Sequence, residues 1–203
     1  MAKRTHPAVG KRIRHPKPSG VRIIGGEWRG RRIAVAAADE LRPTPDRVRE
    51  TVFNWLAPSL DGSHCLDLFA GSGVLGWEAL SRGAASVCLV ERDRAVVQAL
   101  RAQAATFGTG AAKIIFSSAE AFLAGAPQRF DIVFLDPPYA TPIEPWLPRL
   151  WAAWLTPKGR IYVERDSEAA LDSLAAHGRL TRRGRAGSVH YGLLDRGLAS
   201  QGC

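Results

Sequence analysis

Asp136-Pro137-Pro138-Tyr139 combines a carboxylate, a rigid turn and an aromatic ring directly after the apolar run 132–135. Each proline fixes φ and lacks an N–H, so the turn is stiff and its carbonyl groups point in set directions. The carboxylate of Asp136 and a carbonyl of this turn can accept hydrogen bonds from both protons of an exocyclic amine. Tyr139 can stack on the base that carries the amine, once the base has left any helix.

A purine amine is a poor nucleophile because its lone pair is delocalised into the ring. Two acceptors favour a more tetrahedral nitrogen, which can attack an electrophile such as the methyl group of a sulfonium ion. Positioning then supplies much of the remaining rate. A capping Asp before a proline is also a common way to end a strand, but the aromatic residue and the loop described next favour a catalytic role.

A second stretch begins at Cys65 and reads as a buried strand to Phe69, a glycine turn and a helix from Val74 onward. The first N–H groups of a helix lack partners, so they form a seat for a polar or anionic ligand. Gly71 and Gly73 let the backbone turn sharply and approach that ligand closely. This stretch predicts a cofactor-binding loop.

Glu91 follows Gly71 by twenty positions, a spacing that suits a carboxylate accepting hydrogen bonds from ribose hydroxyls. Gly71-x-Gly73-x-x-Gly76 also matches the dinucleotide fingerprint, so this pattern alone leaves a nicotinamide-dependent oxidoreductase open. Asp67 favours a different cofactor, because a carboxylate inside a buried strand needs a partner. The ammonium group of an amino acid would serve.

The chain has 203 residues, which suits one sizeable α/β domain with a small appendage. No apolar run approaches the roughly 20 residues that span a bilayer, and the N-terminus lacks the apolar core of a secretory signal. Cys65, Cys88 and Cys203 form no C-x-x-C pair, and the first two lie on predicted buried strands. We therefore expect a cytoplasmic protein with reduced cysteines, no membrane segment and no metal site.

The net charge of +9 is confined to the N-terminal part of the chain. Residues 1–32 contain ten Lys or Arg and one acidic residue, whereas residues 33–203 contain eighteen of each sign. A solvated tail would explain this, but clustered cations also gain affinity for nucleic acid by releasing its counterions. We favour a phosphate-binding arm. The candidate RNA contacts are Arg22, Trp28, Arg29, Arg31, Arg32 and Arg47.

Strand-like and helix-like segments alternate after this arm, and the strands are almost continuously apolar. The pattern predicts an α/β fold with a Rossmann-like, doubly wound, mainly parallel sheet covered on both faces. The expected strands are 65–69, 86–90, 113–116, 130–135 and 160–163, with a closing antiparallel pair at 180–183 and 188–194. The expected helices are 74–81, 94–106, 119–124, 145–155 and 167–177.

Four segments are expected along the chain: a basic flexible tail (1–20), a small RNA-contacting β-hairpin (21–40), the main domain (41–195) and a second tail (196–203). The main domain should open with a helix after Pro45, capped by Thr44 or Asp46.

Ligands of such sheets bind outside the carboxyl ends of the strands. The segments 67–73 and 136–139 lie at those ends, together with Glu91 and Ser118. We therefore expect all of them to converge on one cleft.

These motifs accompany a wider pattern that includes the stretches 22–31, 41–50, 53–56, 66–73, 78–83, 134–139 and 161–164. In this combination the sequence resembles class I S-adenosylmethionine-dependent methyltransferases with an (Asp/Asn)-Pro-Pro-(Tyr/Phe) motif. It is most similar to the bacterial RsmD-type family, which methylates guanine N2 in 16S ribosomal RNA. The resemblance covers roughly residues 21 to 195.

The resemblance implies that Asp67, Gly71 and Gly73 hold the methionine portion of S-adenosylmethionine and that Glu91 holds its ribose. It implies that residues 136–139 hold the target guanine and that the substrate is a partly assembled small ribosomal subunit. The expected cofactor contacts are Asp67, Phe69, Ala70, Gly71, Ser72, Gly73, Glu91, Arg92, Ser118, Ala119, Arg42, Pro43 and Thr44, the last three closing over the cofactor. Ser118 departs from the family's pattern, because many relatives carry Asp or Asn there to bind the adenine amine.

The leading hypothesis is therefore a monomeric rRNA guanine-N2 methyltransferase. An adenine-N6 methyltransferase of DNA or RNA remains open, because the same four-residue turn serves that amine. From other classes, a nicotinamide-dependent oxidoreductase and a non-catalytic RNA-binding protein remain as alternatives, which cofactor binding and methyl transfer would separate.

Overall fold

The computed structural model describes residues 20–33 and 44–197. Arg42 and Pro43 lie outside these ranges, as do the basic segment 1–19 and the C-terminal residues 198–203. Among the described helices, none is long and apolar enough to cross a membrane.

A seven-stranded sheet forms the centre of the molecule, in the order β5-β4-β3-β6-β7-β9-β8. Five strands run parallel and β9 runs antiparallel to both of its neighbours, β7 and β8. The strands are β3 (His64–Asp67), β4 (Ser86–Glu91), β5 (Ala112–Phe116), β6 (Phe130–Leu135), β7 (Leu155–Arg165), β8 (Arg179–Ala186) and β9 (Val189–Asp195). This arrangement confirms the predicted mainly parallel sheet with an antiparallel C-terminal pair.

Helices cover both faces of this sheet. The helices are α1 (Asp46–Leu60), α2 (Val74–Ser81), α3 (Arg94–Phe107), α4 (Ala119–Ala124), α5 (Leu147–Arg149) and α6 (Glu168–Ser173). One apolar cluster joins α1, α2 and α3 to the face that carries Phe134 and Tyr162. A second cluster joins α4, α5 and α6 to the face that carries Leu135 and Val163. Alternate residues of each strand therefore enter different layers, as the period of a strand requires.

The segment expected to be one helix at 145–155 is irregular. It consists of a 3-10 turn at Glu144–Trp146, the short α5 and a π-helical turn at Leu150–Trp154. Pro145 and Pro148 explain part of this difference, because a proline removes a helical N–H donor and crowds the preceding turn. β7 then begins at Leu155, five residues before the expected start at position 160.

The structure describes residues 21–33 of the expected hairpin segment 21–40, and residues 34–40 lie outside the described ranges. β1 (Val21–Arg22) pairs antiparallel with β2 (Arg32–Ile33) over two residues each. Glu78, fully buried in α2, fastens it to the main domain by accepting hydrogen bonds from the N–H groups of Ile24 (2.9 Å) and Gly25 (2.8 Å). The hairpin is therefore packed along the helical layer rather than free of it.

The start of α1 differs from the predicted capping arrangement. Pro45 occupies the N-cap position, and no side chain caps the helix, so the prediction of Thr44 or Asp46 as cap is wrong. Asp46 instead pairs with Arg49 at 2.6 Å, and the Thr44 hydroxyl donates to Glu164 at 2.8 Å. The Asp46–Arg49 pair is local to the first turn of α1, whereas the Thr44–Glu164 contact is tertiary and is not encoded by local sequence.

The two described cysteines are buried free thiols, Cys65 and Cys88. Burial raises the pKa of Cys65 to about 12 and that of Cys88 to about 11. Both therefore stay protonated and pack as small apolar residues, as the sequence predicts.

Candidate active site

The glycine loop lies between the end of β3 and the start of α2. Gly71 and Gly73 adopt positive φ angles of 48° and 74°, a region that side chains with a Cβ rarely enter. A Cβ at Gly73 would lie 2.5 Å from the indole Nε1 of Trp77. That indole donates to the carbonyl of Ser72 at 3.1 Å, so Trp77 of α2 holds the loop in place.

Glu91, at the end of β4, is joined to this loop. Its Oε2 accepts a hydrogen bond from the N–H of Gly71 at 3.0 Å, and its Oε1 accepts from the N–H of Asp93 at 2.8 Å. The predicted ribose acceptor and the predicted cofactor loop are thus held together. Asp67 ends β3 in the same cleft and is buried, with 2% of its surface exposed.

Asp136 follows β6, the strand next to β3 in the sheet. The N–H of Leu68 donates to the carbonyl of Phe134 at 3.2 Å, which joins the two strand ends. Pro137 is buried, whereas Tyr139 is 43% exposed. The structure therefore brings the glycine loop and the Asp136–Tyr139 turn to adjacent positions at one edge of the sheet.

Asp136 lies among other carboxylates. Its pKa is raised well above the ordinary value, first by burial and then by the negative charges of Glu164 and Asp67, while Arg165 acts in the opposite direction. Among the described residues, none donates a hydrogen bond to the Asp136 carboxylate. Within the described ranges, therefore, its acceptor oxygens are left for a donor group of a substrate.

Glu164 is a site residue that the sequence reasoning did not single out. It is 3% exposed and lies near the end of β7. Its Oε1 accepts hydrogen bonds from the Tyr162 hydroxyl (2.6 Å) and the Thr44 hydroxyl (2.8 Å). Burial raises its pKa, and these two bonds oppose the shift. One sequence signal could have identified Glu164: it is an acidic residue that directly follows the run 160–163, which was expected to form a strand of the same sheet.

Arg165 lies on the opposite face of β7 from Glu164, since successive side chains of a strand alternate. It is 4% exposed, and within the described part of the chain its Nη1 and Nη2 have no hydrogen-bond partner. Burial lowers the pKa of its guanidinium, while Glu144, Asp136 and Asp166 favour the charged form. Arg165 therefore acts on Asp136 through space.

The remaining predicted cofactor contacts lie around the same cleft. Phe69, Ala70 and Ser72 belong to the glycine loop, Arg92 follows Glu91, and Ala119 begins α4. Ser118 caps α4, with its hydroxyl accepting from the N–H of Ala121 at 3.2 Å. This capping role occupies the side chain for which an adenine contact is predicted.

The candidate RNA contacts separate into exposed and buried residues. Arg22, Arg29, Arg31, Arg32 and Arg47 are exposed.

Trp28, however, is only 7% exposed, and its ring stacks on Phe107 with the centroids 4.3 Å apart. Trp28 thus packs the hairpin onto α3, and its ring is not available on the surface to contact RNA. The sequence pattern did not show this, because the partner ring lies on a helix far along the chain.

The tip of the hairpin points away from the catalytic edge. The N–H of Trp28 donates to the hydroxyl of Ser81, the last residue of α2, and Arg31 donates to the carbonyl of Thr106 near the end of α3. Arg22 lies near the start of α1, 3.5 Å from Asp46. The exposed arginines therefore extend from the catalytic edge along one side of the molecule.

In the described part of the chain, no group of three His, Cys, Asp or Glu side chains could hold a metal ion. The donors and acceptors of the cleft suit another ligand. Asp67 can receive an ammonium group, Glu91 ribose hydroxyls, and the glycine loop offers backbone N–H groups. This set fits a nucleoside that carries an amino acid.

A family model described as "Conserved hypothetical protein 95" matches residues 21–195. Ribosomal RNA small subunit methyltransferase D of Escherichia coli K12 is 46% identical over 188 residues, covering 92% of this chain and 95% of the relative. The protein of the same name from Haemophilus influenzae is 44% identical over 169 residues, covering 79% and 87%.

Solved structures similar to this chain include two described as a methyltransferase and a methylase. A putative methyltransferase from Escherichia coli has a TM-score of 0.80 at 45% identity, covering 88% of this chain and 99% of that one. A putative methylase from Haemophilus influenzae has a TM-score of 0.72 at 37% identity, with the same coverage of 88% and 99%.

Proposed function

The chain belongs to the family described as conserved hypothetical protein 95, the RsmD family, and from this membership we propose that it is an S-adenosylmethionine-dependent methyltransferase of ribosomal RNA. Its target is the exocyclic N2 of a guanine in the 16S rRNA of the small ribosomal subunit. The observation that carries the proposal is the placement of the Asp136 carboxylate at the end of β6, beside the glycine loop at the end of β3.

Bound S-adenosylmethionine supplies an electrophilic methyl group on its sulfonium. Asp67 and the loop from Gly71 to Gly73 hold the methionine portion, and Glu91 holds the ribose. Phe69, Ala70, Ser72, Arg92 and Ala119 complete the cofactor pocket, with Thr44 at its margin.

Asp136 and the Pro137 carbonyl accept hydrogen bonds from the two N2 protons of guanine. This orients the nitrogen lone pair toward the methyl group, and positioning of the two reactants accounts for much of the rate. Tyr139, exposed at the mouth of the cleft, stacks on the base after it has been turned out of its helix. Pro138 stiffens the turn that carries these groups.

The substrate is rRNA within an assembled or partly assembled particle, and the enzyme acts as a monomer. The exposed arginines Arg22, Arg29, Arg31, Arg32 and Arg47 bind its phosphates. The charge that precedes the hairpin supports this arm, because residues 1–19 include Lys3, Arg4, Lys11, Arg12, Arg14 and Lys17.

The test is methyl transfer from labelled S-adenosylmethionine to three substrates in parallel: small subunits that lack the modification, naked rRNA and duplex DNA. We expect label on guanine N2 of the small subunit. Asp136→Ala should lower transfer at least ~100-fold without loss of cofactor binding.

The matched control is Asp172→Ala, since Asp172 is a partly exposed aspartate of α6 outside the cleft. This variant should transfer methyl groups at the wild-type rate. Label on adenine of DNA would overturn the proposed substrate, and failure to bind S-adenosylmethionine would overturn the proposed chemistry.

A further inference from the structure

Asp136 directly follows the end of β6, and Glu164 lies near the end of the neighbouring strand β7, close enough for its charge to raise the pKa of Asp136. β6 and β7 are parallel, with Phe134 opposite Tyr162 and Leu135 opposite Val163. The next step of this register brings Asp136 opposite Glu164. Phe134 and Tyr162 pack in the same apolar cluster, so residues two positions further on project from that same face.

The spacing of this pair suits two adjacent donors on one molecule. Neighbouring strands are about 4.8 Å apart, so two carboxylates in register can each accept a hydrogen bond from one edge of a planar base. Asp67, from β3, lies on the same face but is one strand further from Glu164. Asp136 and Glu164 are thus the two acidic side chains at the ends of β6 and β7 that a base entering beside Tyr139 can meet together.

Glu164 is held in a fixed orientation. The hydroxyls of Tyr162 and Thr44 both donate to its Oε1, at 2.6 Å and 2.8 Å. Among the described residues none donates to its Oε2. A buried carboxylate with one oxygen fixed and one left over is a preorganised acceptor, and hydrogen bonds to a charged acceptor are the stronger kind.

Guanine carries two adjacent donors on this edge, N1–H and the N2 amine, whereas adenine has an acceptor at N1. We propose that Glu164 is a specificity residue that accepts the hydrogen bond from N1–H of the target guanine while Asp136 and the Pro137 carbonyl receive the N2 amine. This inference rests on the proposed function. A base with a lone pair at N1 would present that lone pair to the Glu164 oxygen. Such a base is rejected because Glu164 then has no donor, although Asp136 still meets the amine.

The electrostatics of the cleft agree with this assignment. The charges of Glu164 and Asp67 raise the pKa of Asp136, so the empty pair is under mutual repulsion. Two N–H donors from one base reduce that repulsion, whereas a lone pair at N1 would add to it. The Asp136–Glu164 pair therefore favours guanine by attraction and also disfavours a base with a lone pair at N1 by electrostatic repulsion.

The test uses small subunits reconstituted from rRNA with either guanine or 2-aminopurine at the methylated position. 2-Aminopurine keeps the C2 amine but has an acceptor at N1. Wild-type enzyme should prefer guanine roughly 10- to 100-fold in kcat/KM, the usual range for one bidentate base contact. In Glu164→Gln, the amide can donate to N1 of 2-aminopurine, so this preference should shrink at least tenfold.

Thr44→Val is the matched control, because it removes one hydrogen bond to Glu164 but leaves its acceptor in place. It should slow both substrates together and preserve their ratio. A Glu164→Gln enzyme that slows both substrates equally would show that Glu164 only supports the fold, and the inference would fall. Absence of methyl transfer by wild-type enzyme to guanine would instead overturn the proposed function.

A wild-type measurement covers the case in which Glu164→Gln does not fold. Among the described residues, Tyr162 donates to Glu164, and the charge of Glu164 acts on Asp136 together with the charges of Asp67 and of Arg165, which lies on the other face of the sheet. Glu164 accepts from N1–H only as an anion, and burial raises its pKa. The guanine preference should therefore decrease as the pH falls toward that pKa, and a preference independent of pH would contradict the inference.

Discussion

The charge of Asp136 depends on three residues from two other strands, β3 and β7. Burial and the carboxylates of Glu164 and Asp67 raise its pKa, and Arg165 opposes them from the other face of the sheet. The motif Asp-Pro-Pro-Tyr supplies the acceptor, but its protonation is set by neighbours that the motif does not contain. The pH dependence of the reaction is thus a property of the cluster.

At this scale we predict that Arg165→Met moves the acid limb of the pH profile of kcat/KM to higher pH. The positive charge of Arg165 favours the anionic form of Asp136, so its removal raises the pKa of Asp136 further. Activity at pH 6 should then fall more than activity at pH 8. The change is compatible with folding, because burial of an unpaired guanidinium is itself unfavourable.

Arg183→Met serves as the control for this measurement. Arg183 has 59% of its side chain exposed and pairs with Glu168 and Asp172 on the surface. Its pH profile should match that of the wild type. An acid limb of Arg165→Met that stays in place, or moves to lower pH, would contradict the assigned electrostatic role.

The elements explain why the site is assembled at this edge. Each of β3, β4 and β6 ends in a residue or turn of the cleft, and the loop after β3 leads directly into α2. The positive φ of Gly73 and its contact with Trp77 let the chain reverse within three residues. We therefore expect the geometry of the loop to matter for binding of the proposed cofactor as well as for folding.

At the scale of elements we predict that Gly73→Ala weakens S-adenosylmethionine binding at least tenfold. The new Cβ would lie 2.5 Å from Trp77 Nε1 and 2.7 Å from Leu100 Cδ2, and φ of 74° is unfavourable for alanine. Stability should fall by about 1–3 kcal/mol, measured by urea unfolding. Calorimetry with the cofactor measures the affinity.

Gly62→Ala is a matched control for this loop. Gly62 also has a positive φ, 69°, but a Cβ there meets nothing within 4 Å. It should lose stability from backbone strain alone and keep its cofactor affinity. If both variants bound the cofactor equally well, the fixed shape of the Gly71–Gly73 loop would not be what determines affinity.

For the whole molecule, we expect the distribution of exposed charge to set how the proposed RNA substrate binds. The exposed arginines run from Arg22 and Arg47, near the start of α1, to Arg29 and Arg31 at the tip of the hairpin. These arginines begin beside the cleft, at the start of α1, and continue to the end of α3. RNA bound there would keep one end at the catalytic edge.

At this scale we predict that the double variant Arg29→Ala, Arg47→Ala binds the small subunit more weakly and with a smaller salt dependence. The slope of log K against log salt should decrease by about 2, since each phosphate contact contributes close to one unit. Filter binding at several salt concentrations measures this slope. Transfer to saturating substrate should be nearly unchanged.

The control is the pair Arg179→Ala, Arg183→Ala on β8, two exposed arginines that already pair with acidic residues. Its slope should equal that of the wild type. If the β8 variant lost the salt dependence and the N-terminal variant kept it, the RNA path would have to cross the opposite edge of the sheet.

The fold class and the family could be predicted from the sequence, as could the placement of the glycine loop, Glu91 and Asp136 at one edge of the sheet. Alternation of apolar strands with helices fixed a parallel sheet, and the glycines, Glu91 and Asp136 follow strands whose carboxyl ends must share one edge. These features are local or nearly so, because each depends on residues within one strand, turn or helix. The helix at 119–124 and the strand at 130–135 were predicted at their observed limits.

Contacts between side chains that are far apart in the sequence could not be predicted and become visible only in the folded chain. Thr44 and Glu164 are separated by 120 positions along the chain. Their side chains meet because the segment that leads into α1 lies beside the end of β7. Trp28 is buried because Phe107 happens to lie under the hairpin, and Arg165 reaches Asp136 from the other face of the sheet. Strand order, strand face and helix placement set these contacts, and none of the three is readable from residue spacing along the chain.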